Sequence, residues 1–217
     1  MSRSPEESTS WIAEKTRSMT GVNDVVILGP FSFRVTRVEL PPFDAGVIST
    51  SAVTADHVQA VLDASPEMEI LINIPKESIW TEGAIHLADV NQIAFGGIGD
   101  LMRAVSAENV RQYVRPEFQF VERGLLQHHR VSSYVRKADR VYQINRNGLP
   151  DLTIVMLNEY ELTADHIRVA RERYGSFDLV LLNNPNGSAT TGAKELGNSM
   201  GIGIFKWSQF LGCLNSR

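Results

Sequence analysis

Short aliphatic runs, none longer than a strand, alternate along the chain with stretches whose apolar residues recur every three or four positions. In the second half, residues 141–144 read as a strand, Asn147-Gly148-Leu149-Pro150 as a turn, and 151–157 as a second, β-branched and aliphatic strand. Thr163 stands where a helix N-cap belongs, Ile167, Ala170 and Tyr174 fall on one face, and Gly175 marks the stop. A buried strand at 177–182, a polar turn at 183–187, a helix at 191–200 stopped by Gly201, a strand at 202–205 and a closing helix at 208–214 follow. The first half reads alike: strands at 33–38 and 46–48, a helix from Thr54, a strand at 69–74, a helix at 83–89 and a strand at 93–95. A candidate helix precedes each half, at 9–19 and 118–135. This alternation predicts a mixed or parallel sheet covered by helices, with right-handed crossovers.

The two halves are also alike in detail. Thr54-Ala55-Asp56-His57-Val58 reappears 109 residues later as Thr163-Ala164-Asp165-His166-Ile167. At the same offset Arg37 meets Arg146, Leu40-Pro41 meets Leu149-Pro150, Gly83-Ala84 meets Gly192-Ala193, and Leu101-Met102 meets Phe210-Leu211. One inserted residue brings Asn73 onto Asn183 and Pro75 onto Pro185. The expected architecture is a tandem duplication of a small three-layer α/β unit, a mixed sheet flanked by helices. Its divisions are 1–105, the first repeat with its N-terminal helix; 106–133, a charged helical connector; and 134–217, the second repeat. The halves are expected to pack as a pseudo-dimer within the chain, itself a monomer or homodimer.

Composition narrows the function classes. A net charge of −4 argues against a protein that coats nucleic acid with a uniformly basic surface. The single cysteine, Cys213, excludes an internal disulfide and a multi-cysteine zinc site, and fits a reducing, cytoplasmic setting. Residues 1–10 lack a basic start followed by an apolar run, so no signal peptide is read there, and the first few are expected to be disordered. No run approaches the roughly 18 apolar residues of a membrane span, so no membrane partner is expected.

The order of elements, with the tail Phe177-Asp178-Leu179-Val180-Leu181-Leu182, a polar turn, Ala193-Lys194-Glu195-Leu196 and Gly201-Ile202-Gly203-Ile204-Phe205, resembles the restriction-endonuclease-like core of the PD-(D/E)XK superfamily. A flavodoxin-like or other three-layer α/β fold fits the same pattern. The resemblance implies an Asp and then a Glu-x-Lys on the next strand, which together hold Mg²⁺ and a base at a scissile phosphate. The second half offers Asp151 and Glu159 as catalytic carboxylates, with no Lys at 161; the first offers Asp44 and then Ile48-Ser49-Thr50. The resemblance therefore implies a degenerate pair, with Mg²⁺ as cofactor only if cleavage survives and otherwise no cofactor or resident metal.

Three further features carry candidate chemistry. The turn Asn183, Asn184, Asn186, Gly187, Ser188 between strand and helix is a candidate anion cradle, although it lacks a P-loop lysine. Arg123, His128, His129, Arg130, Arg136 and Lys137 form the densest basic patch and a candidate nucleic-acid contact, against the plainer reading of a solvated helix. The repeated Asp-His pair, Asp56-His57 and Asp165-His166, reads as a helix start rather than an acid/base pair, because adjacent helical residues point about 100° apart. The expected function is a non-catalytic binding or scaffolding protein that recognises nucleic acid or a protein partner. The alternatives are a Mg²⁺-dependent nuclease in the second repeat and a small-molecule or nucleotide-binding α/β protein.

Overall fold

The computed structural model describes residues 4–216. The chain is α/β and divides into two similar units, one running to Arg115 and the other starting at Pro116.

Unit 1 begins with α1 (Pro5–Arg17). Ser4 and Glu7 form a reciprocal capping box, and Pro5 takes the first helical position, where no N–H is needed. The disorder expected of the first residues concerns, at 1–3, positions outside the described residues; from Ser4 on the chain is ordered into this capped helix. Three strands follow, β1 (Val22–Gly29), β2 (Ser32–Arg37) and β3 (Phe43–Ile48), then a two-residue strand β4 (Ala52–Val53) and α2 (Ala55–Ala64). The remainder is β5 (Ile70–Asn73), β6 (Ile79–Trp80), α3 (Glu82–Val90), β7 (Ala94–Gly96) and α4 (Ile98–Ala104), with a short turn of 3₁₀ helix at Val110–Gln112.

The five-stranded sheet runs β1-β2-β3-β5-β7. Its first three strands are an antiparallel meander, and β3, β5 and β7 are parallel. Side chains alternate across it as a period of two requires. Ile70 and Ile72 join one core with Ile12 of α1 and Leu101 of α4, while Leu71 joins another with Val58 of α2 and Ile85 of α3. Helices therefore cover both faces, and all six residues of the central β3 are buried.

Unit 2 repeats this element for element: α5 (Pro116–Gln127), β8 (Val131–Ala138), β9 (Val141–Arg146), β10 (Leu149–Leu157), β11 (Glu161–Leu162), α6 (Ala164–Tyr174), β12 (Leu179–Leu182), β13 (Ser188–Ala189), α7 (Thr191–Met200), β14 (Gly203–Phe205) and α8 (Trp207–Cys213). Its sheet has the same order of strands. Gly175 and Gly201 stop α6 and α7 with positive φ, as expected of the two glycines.

Three sequence expectations are corrected. The helix read at 118–135 ends at Gln127, and Val131–Ala138 is a strand paired with β9. The segment 106–133 consequently does not form a helical connector: α5 stands to unit 2 as α1 stands to unit 1, and β8 starts before 134. The inserted residue is also absent. Ile48 pairs with Asn73 and Leu157 with Leu182, and the next amides, of Ile74 and Asn183, both donate to the preceding strand's end at 3.0 and 2.9 Å. Asn183 therefore occupies the place of Ile74, and the offset of 109 holds throughout.

One buried side chain ties each unit together. Arg37, at the end of β2, donates from Nε to the Pro41 carbonyl at 2.7 Å and from Nη1 to the carbonyls of Val105 at 3.2 Å and Ala107 at 2.5 Å. Arg146, at the end of β9, donates to Pro150 at 2.7 Å, Leu214 at 3.4 Å and Ser216 at 2.8 Å. The carbonyls of Val105, Ala107, Leu214 and Ser216 lie at and just past the ends of α4 and α8, where a helix has no internal donors left and where a cation is favoured. Both arginines are under a tenth exposed, at 6% and 7%. Arg37→Ala should destabilise the chain by about 3 kcal/mol, because it strands several buried acceptors at once, and Arg146→Ala by a similar amount. Urea unfolding measures this, and a loss below about 1 kcal/mol for either would contradict the assignment.

Candidate functional site

In unit 2 the parallel strands β10, β12 and β14 deliver their carboxyl ends to the starts of β11, β13 and α8. Crevices outside the carboxyl ends of such strands are where open α/β sheets accept ligands. An open cleft of about 270 Å³ lies there. Leu182, Ala189, Ile204 and Phe205 supply its apolar surface, and Ser188, Lys194, Lys206 and Gln209 supply its polar groups.

The local sequence explains the placement. Gly187 crosses so close to the Glu159 carbonyl that a Cβ would collide with it. The Ser188 amide then donates to Tyr160 at 2.9 Å, and Thr190 caps α7 by accepting the Ala193 amide at 3.2 Å. Lys206 precedes α8; its amide donates to Gln209 Oε1 at 3.1 Å and its Nζ to the Pro185 carbonyl at 3.4 Å. Lys194, on the second turn of α7, is exposed.

The turn singled out in the sequence borders this cleft, but only Ser188 of its residues lines it. The Asn183 amide continues the β10 ladder, Asn184 Oδ1 accepts the Asn186 amide at 3.0 Å, and the Gly187 amide donates to Asn184 O at 3.0 Å. These amides are engaged within the protein. The polar groups of the cleft come from α7 and the start of α8.

Unit 1 holds the same backbone with the opposite contents. Trp80 stands at the place of Ala189, Ile85 at that of Lys194, and Gly97 at that of Lys206. The Trp80 ring is packed against Phe95 with centroids 4.8 Å apart, and Trp80 is 4% exposed. Asp100, at the place of Gln209, accepts from the Gly97 amide at 2.9 Å, Tyr113 Oη at 3.0 Å, and Arg115 Nε at 2.9 Å and Nη2. Burial alone would raise the Asp100 pKa; Arg115, with the Gly97 and Tyr113 hydrogen bonds, outweighs it and holds the carboxyl below its ordinary value. Burial and the adjacent Asp100 push Tyr113 up to about 12.

The other sequence candidates do not converge. Asp151 is exposed near the start of β10 and Glu159 lies beyond its end; the strand from 151 to 157 alone spans about 20 Å, too far for the two to share a metal ion. Asp151 accepts from Gln143 at 3.5 Å, and Glu159 lies 3.8 Å from His166 Nε2. Among the described residues no group of three or more His, Cys, Asp or Glu could hold a metal ion. His57 and His166 each accept the amide of their capping threonine through Nδ1, at 3.2 and 3.1 Å, so the Asp-His repeat is a helix start.

The basic patch is divided. Arg136 faces inward: its guanidinium donates to the Asp139 carbonyl, lies 3.9 Å over the Phe118 ring, and is 3.9 Å from Glu122. Arg123 is on α5, the stacked rings of His128 and His129 and Arg130 form the following turn, and exposed Lys137 is at the far end of β8. Sequence reasoning missed a second charged feature of unit 2. Tyr142 donates to Glu122 at 2.8 Å and Tyr174 to Asp139 at 3.0 Å, where unit 1 has Phe33 and a Ser32–Ser65 hydroxyl pair. Burial raises the Asp139 carboxyl against the pull of Arg173 and Tyr174.

No protein-family model, no curated protein and no solved structure matches this chain. The comparison that speaks is the internal one between its units.

Because its folded pKa is lowered, Asp100 contributes stability above the unfolded carboxylate value of about 3.9, and that contribution is lost as pH falls through the folded value. Asp100→Asn should therefore cost about 2 kcal/mol at neutral pH. The penalty should shrink as pH falls below about 4. Urea titrations across this range would contradict the assignment if the penalty did not change with pH.

Proposed function

We propose that the chain is a non-catalytic binding protein whose ligand, a small anion, sits in the unit 2 cleft, with unit 1 as its closed structural counterpart. The observation that carries this reading is the triple replacement on a shared backbone: Trp80, Ile85 and Gly97 in the closed unit, Ala189, Lys194 and Lys206 in the open one. Loss of a large ring leaves room, and the two ammonium groups give that room a sign. Unit 1 has neither cation at these positions.

The order of elements in both units, a helix, three strands, then helices alternating with parallel strands, supports a restriction-endonuclease-like ancestry for the pair. Against cleavage stand the separation of Asp151 from Glu159 and the lack of a Glu-x-Lys on β10. The scattered cations weigh against nucleic acid as the ligand, since phosphate contacts work by tracking a backbone together. The chain is expected to leave DNA and RNA intact with Mg²⁺ or Mn²⁺, and Asp151→Ala to change nothing.

Thermal unfolding of the full chain with inorganic phosphate, citrate and adenosine monophosphate tests the reading. At about one hundred times Kd a ligand stabilises by about 2.7 kcal/mol. At least one anion should raise the Tm of the parent chain, and Lys194→Glu with Lys206→Glu should abolish the gain. Equal responses from parent and variant, or none from either, would contradict an anion site in this cleft.

A further inference from the structure

Resting on that binding reading, we infer that the ligand is a planar aromatic anion: one ring system of about the size of an indole, carrying a carboxylate or phosphate. The inference comes from what occupies the same place in unit 1. The short parallel ladders carrying the two residues match. Val53 pairs with Trp80 and Leu162 with Ala189, and the next amides, of Thr81 and Thr190, donate to Val53 and Leu162 at 3.0 and 2.9 Å. The backbone is held alike at both positions, so the difference between units is a side chain and not a moved loop. In unit 1 the indole of Trp80 lies against Phe95, in one core with Ala84 and Ile85. In unit 2 the matching wall keeps its apolar character, with Ile204 for Phe95 and buried Ala193 for Ala84. Unit 1 thus carries, covalently attached, a model of what unit 2 lacks.

The size and edge of the cleft set the rest of the chemistry. At about 270 Å³ it lies just below the range of about 300–1,000 Å³ typical of small-molecule pockets. It is of a size to hold one bicyclic ring. Ile85 belongs to the apolar wall in unit 1, yet its counterpart Lys194 is an exposed cation at the cleft. A buried ring there would therefore present an attached anionic group toward Lys194 and Lys206, while Ser188 and Gln209, which also line the cleft, offer hydrogen bonds. Nothing in this arrangement calls for a reaction; it selects a ring and a charge together.

The test is isothermal titration of the full chain with four probes. Indole-3-acetate and adenosine monophosphate combine ring and charge; acetate and inorganic phosphate have the charge alone. The aromatic pair should bind at least about tenfold more tightly than their ringless partners. Ala189→Trp should fill the cleft as unit 1 does and weaken the aromatic probes by about tenfold or more. Ala189→Leu, a smaller change that keeps the strand, should weaken them in the same direction. If the ringless anions bind as tightly as the aromatic ones, need Lys194 and Lys206, and ignore both changes at Ala189, the aromatic inference is overturned while the anion site stands. If no probe binds, both are overturned.

Discussion

Each unit depends on one guanidinium taken out of water. Arg37 and Arg146 terminate the second strand of their sheets and spread their N–H groups over the turn that follows and over the last carbonyls of the closing helix. Neither side of this contact is stable without the other. The carbonyls at the end of a helix have lost their internal donors, and a buried guanidinium needs several acceptors at once. The same contact appears twice, 109 residues apart, down to the Pro41 and Pro150 carbonyls. It fixes where the hairpin meets the closing helix, at the end of the sheet where β3 and β10 begin.

With the frame held in common, the units diverge in what they do with polar groups. Unit 1 closes its strand ends with the Trp80–Phe95 contact and an Asp100 held by Arg115, Tyr113 and the Gly97 amide. Unit 2 leaves a cleft with two lysines at the corresponding place, and holds half-buried carboxylates elsewhere, Glu122 and Asp139 with their tyrosines. On the proposed reading, one member of the duplication keeps the structure and the other takes a ligand.

The layered architecture was legible in the sequence because its signals are local. Thr163 as a cap, Gly175 and Gly201 as stops, and the apolar face of α6 each act within a few residues. The strand β8 was not, because Val131, Tyr134, Val135 and Ala138 recur at helical spacing among themselves, and only pairing with β9 at a distance makes the segment extended. Linear closeness misled twice. Asp151 and Glu159 are near in sequence but lie toward opposite ends of one strand, Asp151 within it and Glu159 past it, and the matched asparagines Asn73 and Asn183 differ by one register position. The turn at 183–188 drew attention to the correct end of the sheet, yet the cleft's cations come from α7 and the start of α8. Their significance was available in the repeat itself, at the positions where Trp80, Ile85 and Gly97 fail to match Ala189, Lys194 and Lys206.

The most direct test of this account is a crystal structure of the full chain grown with indole-3-acetate. The account predicts the ring between Ala189 and Ile204, its carboxylate at Lys194 and Lys206, and the equivalent place in unit 1 filled by Trp80. An empty cleft beside Ala189 at saturating probe, or the probe bound elsewhere on the chain, would contradict it.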